Sequence, residues 1–177
     1  KGIRIVASHS DSPCFKVKET PEMDVEGHYV KLNAEGYGVM IMSTWLDRPL
    51  SIAGRVVLKE DGKLVTRLVN IDRDLCVIPN VAIHFNREIN KGFAYNPQVD
   101  LLPLYGGGAG EEKEKKNSLK KLCADTLGIE EEQILASDLY LYCREKGRRM
   151  GVEGEFIGSP RLDDLQCAYG TLMGFLA

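Results

Sequence analysis

The sequence predicts a mixed chain of strands and helices whose middle is rich in β-structure. Three observations support this prediction. Residues 3–6 form a short β-branched run that stops shortly before His9, as a strand does at the edge of a sheet. Apolar and polar residues alternate through much of the middle of the chain, between tight-turn sequences. Residues 165–176 have the apolar pattern of a helix.

The composition is that of a globular protein with one or two domains. Of the 177 residues, 44% are hydrophobic and 28% are charged. The formal net charge of -3 provides no basic surface for a nucleic acid. No apolar run approaches the ~20 residues that a helix needs to span a bilayer. We therefore expect neither a nucleic-acid partner nor a membrane segment.

The number and spacing of the cysteines indicate a reducing compartment. There are five of them, far apart and without the paired spacing of zinc or redox motifs. We expect reduced thiols in a cytoplasmic protein. The chain begins directly in the predicted strand and stops inside the predicted helix, so we also expect it to be a piece of a longer protein.

The first half of the chain is predicted to consist of strands joined by turns. Alternation before and after Pro21 predicts two strands with a turn between them. Residues 51–59 and 63–71 flank an Asp-Gly pair, which is the strongest local signal for a hairpin. A further extended run, residues 75–79, ends at a proline. The single tryptophan, Trp45, is interpreted as a core or interface side chain.

The second half is predicted to contain two short helices and a further strand. Apolar residues at 81, 85 and 89 recur every four positions and predict a helix that Gly92 ends. Extended chain over 99–105 and a glycine-rich, charged surface loop over 106–116 are predicted next. Ser118 is predicted to cap a helix that Gly128 ends. Residues 134–143 then return to the alternation of a strand.

Polar residues near the two ends of the chain could carry chemistry. His9 and Asp11 are two positions apart on a predicted strand and therefore share one face. An imidazole ligand usually donates its second ring N–H to a carboxylate, so this pair suits a metal ligand and its orienting group. A His-x-Asp at a strand end also arises by chance.

The aspartates at 163 and 164 allow two interpretations. Either one can cap the helix that follows, because a carboxylate is stabilised at a helix N-terminus. Adjacent carboxylates at a turn can equally supply oxygen ligands to a metal ion, and a carboxylate that bridges two metal ions is a known arrangement in hydrolytic sites. His84, taken by itself, is interpreted as a surface histidine.

Four motifs, in order along the chain, resemble those of one enzyme family. Residues 9–13, His-Ser-Asp-Ser-Pro, resemble the His-Thr-Asp-Ser-Pro motif of the aspartyl aminopeptidase family of dinuclear zinc metallo-aminopeptidases. Residues 159–165 resemble its Pro-Arg-Leu-Asp-Asn-Leu motif. Residues 43–56, and residues 78–84 with Asn96, are similar to its inserted domain. The resemblance covers nearly the whole chain.

The resemblance implies roles for particular residues. His9 matches a zinc ligand, Asp11 matches the carboxylate that orients this ligand, and Asp163 matches an aspartate that bridges two zinc ions. Asp164 stands where the family usually has asparagine and is not a family ligand. His84 matches a histidine that reaches into a neighbouring subunit's active site to contact the substrate. Cobalt or manganese could replace zinc among such ligands.

The resemblance also implies an architecture. Residues 1–13 and 155–177 belong to an α/β catalytic domain, and residues 14–154 form an inserted, β-rich α+β oligomerisation domain. The family's general-base glutamate and its other metal ligands lie beyond residue 177. The implied activity is removal of N-terminal, acidic residues from peptides by a homo-oligomer. Two alternatives remain open, an inactive assembly module and a related aminopeptidase that prefers neutral or apolar N-terminal residues.

Overall fold

A computed structural model describes residues 2–107 and 118–177. The chain divides into two compact units: Lys1–Pro13 with Glu145–Ala177, and Cys14–Arg144. Residues 145–154, which the sequence prediction places in the middle segment, lie in the first of these units. No helix in the described parts of the chain is long and apolar enough to cross a membrane.

The unit Cys14–Arg144 is built on one six-stranded sheet with the strand order β4-β3-β6-β1-β2-β5. All neighbouring strands pair antiparallel. The strands are β1 Cys14–Val25, β2 Tyr29–Tyr37, β3 Leu50–Glu60, β4 Lys63–Asn70, β5 Leu104–Gly107 and β6 Ile134–Cys143. The β-rich character predicted for the middle of the chain is confirmed.

Side-chain alternation puts the core on one face of this sheet. In β6, Leu139 and Leu141 are buried, while Tyr140 between them faces the other side. Helix α2, Ser118–Leu127, adds Leu119 and Cys123 to the same apolar cluster. Trp45 packs edge-on against Phe15 with ring centroids 5.1 Å apart, in agreement with its interpretation as a core side chain.

The predicted hairpin is present, with β3 and β4 joined at Asp61 and Gly62. Both residues have positive φ, 47° and 78°, the conformation that selects Asp-Gly in such turns. The predicted strand over 134–143 is also confirmed as β6. The helix predicted after Ser118 is confirmed as α2, and Gly128 ends it with φ 65°.

The N-terminus of helix α2 is capped by a residue of strand β1, Glu22. The backbone N–H of Leu119 and the hydroxyl of Ser118 donate to Glu22 Oε1, at 2.8 and 3.3 Å. A carboxylate at this position is also favoured by the helix dipole. The prediction that Ser118 caps the helix missed this distant acceptor. Of the surface loop predicted over 106–116, residues 108–116 lie outside the described residues.

Three local predictions for the middle of the chain were wrong. No turn interrupts β1 at Pro21, because a register shift between Val17 and Glu22 accommodates a residue that cannot donate to the ladder. Residues 99–105 do not stay extended throughout. They begin in helix α1, Pro97–Asp100, which Asn96 caps by accepting from the Gln98 N–H at 3.1 Å.

The third wrong prediction is the helix over 81–89. Only turns and a 3₁₀ segment, Ile89–Lys91, are found there, and Gly92 follows with φ 97°. Val81 and Phe85 are 54% and 85% exposed, so the apolar stripe has no described surface to pack against. A short helix in a protein depends on burial of one face, and spacing alone does not stabilise it.

The compact unit of Lys1–Pro13 with Glu145–Ala177 is the smaller of the two and begins without regular structure. Residues 2–13 form no strand, contrary to the prediction for residues 3–6, because a strand needs a neighbouring strand and none of those described pairs with it. Strands β7, Arg148–Met150, and β8, Phe156–Gly158, form a two-stranded antiparallel sheet. Helix α3, Leu162–Leu176, contains the predicted C-terminal helix.

Candidate metal centre

The ring of His9 has different neighbours at its two nitrogens. Nδ1 lies 3.1 Å from the carbonyl oxygen of Asp11 and 3.3 Å from Asp11 Oδ1. Nε2 lies 3.5 Å from Asp163 Oδ1 and 3.8 Å from Asp164 Oδ2. With its proton on Nδ1, the ring donates to Asp11 and directs the Nε2 lone pair towards two carboxylates.

An irregular start of helix α3 presents the two aspartates. Arg161 has a left-handed backbone, φ 61°, and makes no capping bond with its side chain. Asp163 and Asp164 have non-helical backbone angles and are joined by a cis peptide bond. Asp164 Oδ2 accepts the backbone N–H of His9 at 3.3 Å, and the Ser12 hydroxyl donates to the Asp163 carbonyl at 3.4 Å. These bonds tie the His9 segment to the start of the helix.

The carboxylates set the protonation of the site. Desolvation lowers the pKa of His9, but the hydrogen bond to the Asp11 carbonyl and the charges of Asp164 and Asp11 outweigh it and leave the pKa above its ordinary value. The Cys167 thiol and the His9 N–H donate to Asp164 and lower the pKa of that carboxyl. The same bond to Asp164 raises the pKa of Cys167. The centre is therefore an anionic environment that favours a cation.

The donor set fits a zinc ion. One atom each from His9, Asp163 and Asp164 lies within 4.8 Å of the other two. Ligand atoms on a tetrahedral zinc ion, each ~2.0–2.2 Å from the metal, lie about 3.2–3.6 Å from one another. The separations of 3.5 and 3.8 Å between His9 Nε2 and the two carboxylates are close to that spacing. One imidazole and two carboxylates also match the ligand types that zinc takes in catalytic sites.

The structure adds two residues that the motif comparison left out. Asp164 was set aside because the family has asparagine there, yet its side chain is only 16% exposed and bonds to the His9 backbone. Cys167 lies one helical turn further on, and its thiol contacts the Asp164 carboxylate. The adjacent aspartates were a visible signal for the first residue. The i, i+3 spacing on a helix could have indicated the second.

His84 lies in the other compact unit, Cys14–Arg144, on an exposed turn. The Phe85 N–H closes this turn by donating to the Ala82 carbonyl at 2.8 Å. The flanking side chains of Ile83 and Phe85 are 46% and 85% exposed. A histidine between exposed apolar side chains is suited to contact with another molecule.

Comparison with known proteins gives a match along the whole chain. The family model described as aminopeptidase I zinc metalloprotease (M18) matches residues 1–177. A probable M18 family aminopeptidase 2 from Clostridium acetobutylicum is 50% identical over 174 residues, which are 97% of this chain and 40% of that protein. The chain thus spans about two fifths of the length of the curated relatives that it matches.

Solved structures show the same similarity. A chain in the cryo-EM structure of the Ape4 and Nbr1 complex has a TM-score of 0.81 at 35% identity, over 89% of this chain and 33% of that one. The Saccharomyces cerevisiae mApe1 dodecamer gives 0.71 at 27% identity, over 92% of this chain and 36% of that one. The mixed fold with a mainly antiparallel sheet is therefore one found in M18 aminopeptidases.

Proposed function

The chain belongs to the aminopeptidase I family of zinc metalloproteases, M18, and from this membership we propose that the full-length protein is a zinc-dependent aminopeptidase. The observation that carries the proposal is the cluster of His9, Asp163 and Asp164, with Asp11 behind the imidazole. Zinc bound at such a centre would supply Lewis-acid chemistry for hydrolysis of the N-terminal peptide bond.

Each residue of the cluster has a proposed task. His9 is the imidazole ligand through Nε2, and Asp11 holds the proton on Nδ1 and orients the ring. Asp163 lies on the Nε2 side of the imidazole with its side chain 97% exposed, and it is the proposed bridging carboxylate between two zinc ions. Asp164 fixes the backbone at His9 through its bond to the N–H. Cobalt or manganese could occupy the same oxygen and nitrogen ligands.

The described segment supplies only part of the proposed site. The chain spans about two fifths of its curated relatives, and we place the general base and the remaining metal ligands in other parts of the longer protein. A catalytic zinc usually has three protein ligands and an open position. Complete catalysis therefore requires the full-length protein.

Assembly is the second part of the proposal. One similar structure is described as a dodecamer, and we propose that this protein also forms a homo-oligomer. Residues 14–154 would serve as an inserted oligomerisation domain, from which His84 contacts substrate in a neighbouring subunit. The exposed apolar side chains beside His84 suit such a contact. The free thiols of all five cysteines, every one within the described residues, suit a cytoplasmic protein.

The proposed substrates are peptides with an N-terminal aspartate or glutamate. This preference is drawn from the likeness of residues 9–13 and 159–165 to aspartyl aminopeptidase motifs. The alternatives are a preference for neutral or apolar residues and an assembly module without activity. A comparison of aspartyl, glutamyl and leucyl peptides on the full-length protein separates these three possibilities.

The deciding experiment measures bound zinc and peptide hydrolysis in the full-length protein and in two histidine variants. His9→Ala should lower both, because it removes the imidazole of the cluster. His28→Ala is the matched control, since His28 is exposed beside the β1–β2 turn of the other compact unit. Inactive, zinc-free wild-type protein would leave the assembly module as the better proposal.

A further inference from the structure

The turn that carries His84 leaves the core of its unit through Ile78, Pro79 and Asn80. Ile78 is fully buried, whereas Asn80 and the residues that follow it to Phe85 are exposed. The direction in which the chain leaves the core therefore determines where the His84 side chain is presented. Pro79, at the point of exit, has no N–H and cannot donate a backbone hydrogen bond.

Asp47 binds the chain on both sides of Pro79. Its backbone N–H donates to the Ile78 carbonyl at 2.9 Å, and its Oδ1 accepts the Asn80 N–H at 2.8 Å. A parallel bridge between Leu46 and Ile78 adjoins these two bonds. One residue thus pairs with the last buried carbonyl and with the first N–H beyond the proline.

The chemistry of this position is restrictive. Asp47 has φ 58°, a left-handed conformation that glycine, asparagine and aspartate adopt most readily. The bond to Asn80 additionally requires a short side chain with an acceptor oxygen, which only asparagine and aspartate among these three provide. The bonds further along the turn are local, such as that from the Val81 N–H to Asn80 Oδ1 at 3.0 Å. They extend the geometry that Asp47 sets at Asn80.

We propose that Asp47 is a positioning residue, which fixes the exit of residues 80–85 from the core so that His84 is held ready for its contact with substrate. This inference rests on the proposed function of His84. Asp47 acts only through the backbone at Ile78 and Asn80, and the substrate is contacted by His84.

Substitutions at position 47 separate its side chain from its backbone. Asp47→Gly keeps the left-handed conformation and the bond to Ile78 but removes the acceptor for Asn80. Asp47→Asn keeps the left-handed conformation, the bond to Ile78 and the acceptor for Asn80. The matched control is Asp61→Gly at the tip of the β3–β4 hairpin, where the backbone has a similar φ of 47°. The variants are made in the full-length protein, each alone and with His84→Ala.

Hydrolysis of the substrate identified for the wild type should respond in a defined order. Asp47→Gly should lower kcat/KM about fivefold, the effect expected from loss of one hydrogen bond. The kcat/KM of Asp47→Asn should stay within about twofold of the wild-type value, and that of Asp61→Gly should equal the wild-type value. In the His84→Ala background Asp47→Gly should cause no further loss, because both changes then affect the same contact.

Amide hydrogen exchange gives a second readout that does not depend on activity. Asp47→Gly should speed exchange at Asn80 and over the following turn and leave exchange in strand β3 unchanged. Two results would overturn the positioning role alone, provided that His84→Ala lowers activity. One is an Asp47→Gly variant as active as the wild type, and the other is a double variant in which the losses from Asp47→Gly and His84→Ala add. Full activity in His84→Ala would overturn the proposed task of His84 and with it the purpose of the anchor. Unchanged exchange at Asn80 would show that the anchor itself is wrong.

Discussion

The two nitrogens of His9 have separate partners, and each partner has a different consequence. Asp11 lies at Nδ1, and the carboxylates of Asp163 and Asp164 lie at Nε2. A neighbour at Nδ1 fixes the tautomer and orientation of the ring, whereas a carboxylate at Nε2, such as the proposed ligand Asp163, would share a bound metal ion with it. Substitutions on the two sides should therefore have distinguishable effects.

Asp11→Asn should weaken zinc binding without abolishing it. The ligand atoms remain, but the negative charge that supports the imidazole is lost, and changes of this kind typically cost about 10–100-fold in metal affinity. Zinc affinity of the full-length protein, measured by competition with a chelator, tests this prediction. Asp61→Asn, at the hairpin tip, is the control. An unchanged affinity in Asp11→Asn would show that Asp11 does not support the ligand.

The protonation of His9 in metal-free protein provides a second test. Its pKa should lie above the ordinary value for histidine, because the carbonyl of Asp11 and the charges of Asp164 and Asp11 outweigh desolvation. A raised folded-state pKa means that this group contributes stability at low pH, and the contribution is lost as the pH rises through that pKa. NMR titration of the ring measures the midpoint directly. Asp11→Asn should move the midpoint down, though only in part, since the carbonyl remains.

Strand β6 leaves no room for a side chain at Gly54 of strand β3. A Cβ atom at this position would overlap the carbonyl oxygen of Asp138 and lie 2.9 Å from the Leu139 Cα. Backbone atoms in the middle of a sheet cannot move aside as a flexible side chain can. Glycine is therefore required here by the distance between strands, although its φ is ordinary.

Gly54→Ala should lower the free energy of unfolding by about 3 kcal/mol, at the upper end of the usual cost of overpacking. Gly36→Ala in β2 is the matched control, because its new Cβ would meet only the flexible end of Met40, at 3.9 Å. Urea denaturation of both variants measures the difference. Equal stability of the two variants would show that β3 and β6 can separate without cost.

The burial pattern along β6 makes a further prediction, because a register shift between Ile134 and Ala136 breaks the alternation near the start of the strand and leaves Leu135 exposed. Leu141 is 1% exposed in the core, whereas Leu135 on the same strand is 53% exposed. Leu141→Ala should lower the free energy of unfolding by about 2–5 kcal/mol through lost apolar contacts and a residual cavity. Leu135→Ala should change it by less than about 1 kcal/mol. Similar losses in both variants would contradict the assignment of the buried face.

For the whole molecule, the proposed exchange of His84 between subunits can be tested by mixing two variants that each have lowered activity. In a co-assembled oligomer, a His84→Ala subunit keeps its own zinc ligands and can receive His84 from a neighbour that carries His9→Ala. Activity should therefore exceed the sum of the two separate variants. Co-expression with two affinity tags isolates the mixed oligomer for the assay. No recovery would place the action of His84 within its own subunit.

The sequence by itself determined the elements whose signals are local. The Asp-Gly pair determined the β3–β4 hairpin, because few residue pairs accept its positive φ values. Ser118 marked the start of α2 and Gly128 its end, and alternation identified β6. The four motifs also pointed to the correct family before any distance was known. Each of these signals depends on residues close together in the chain.

Only the tertiary structure decided which segments find a partner. Residues 3–6 and 81–89 have the periodicity of a strand and a helix, but neither meets a described surface that would stabilise that form. The cap of α2 by Glu22 and the bond between the His9 backbone and Asp164 join residues far apart in the chain. Periodicity records which face of a segment is apolar. It does not record what lies opposite that face, and this is why the bond of Asp164 to the His9 backbone and the anchor at Asp47 required the structure.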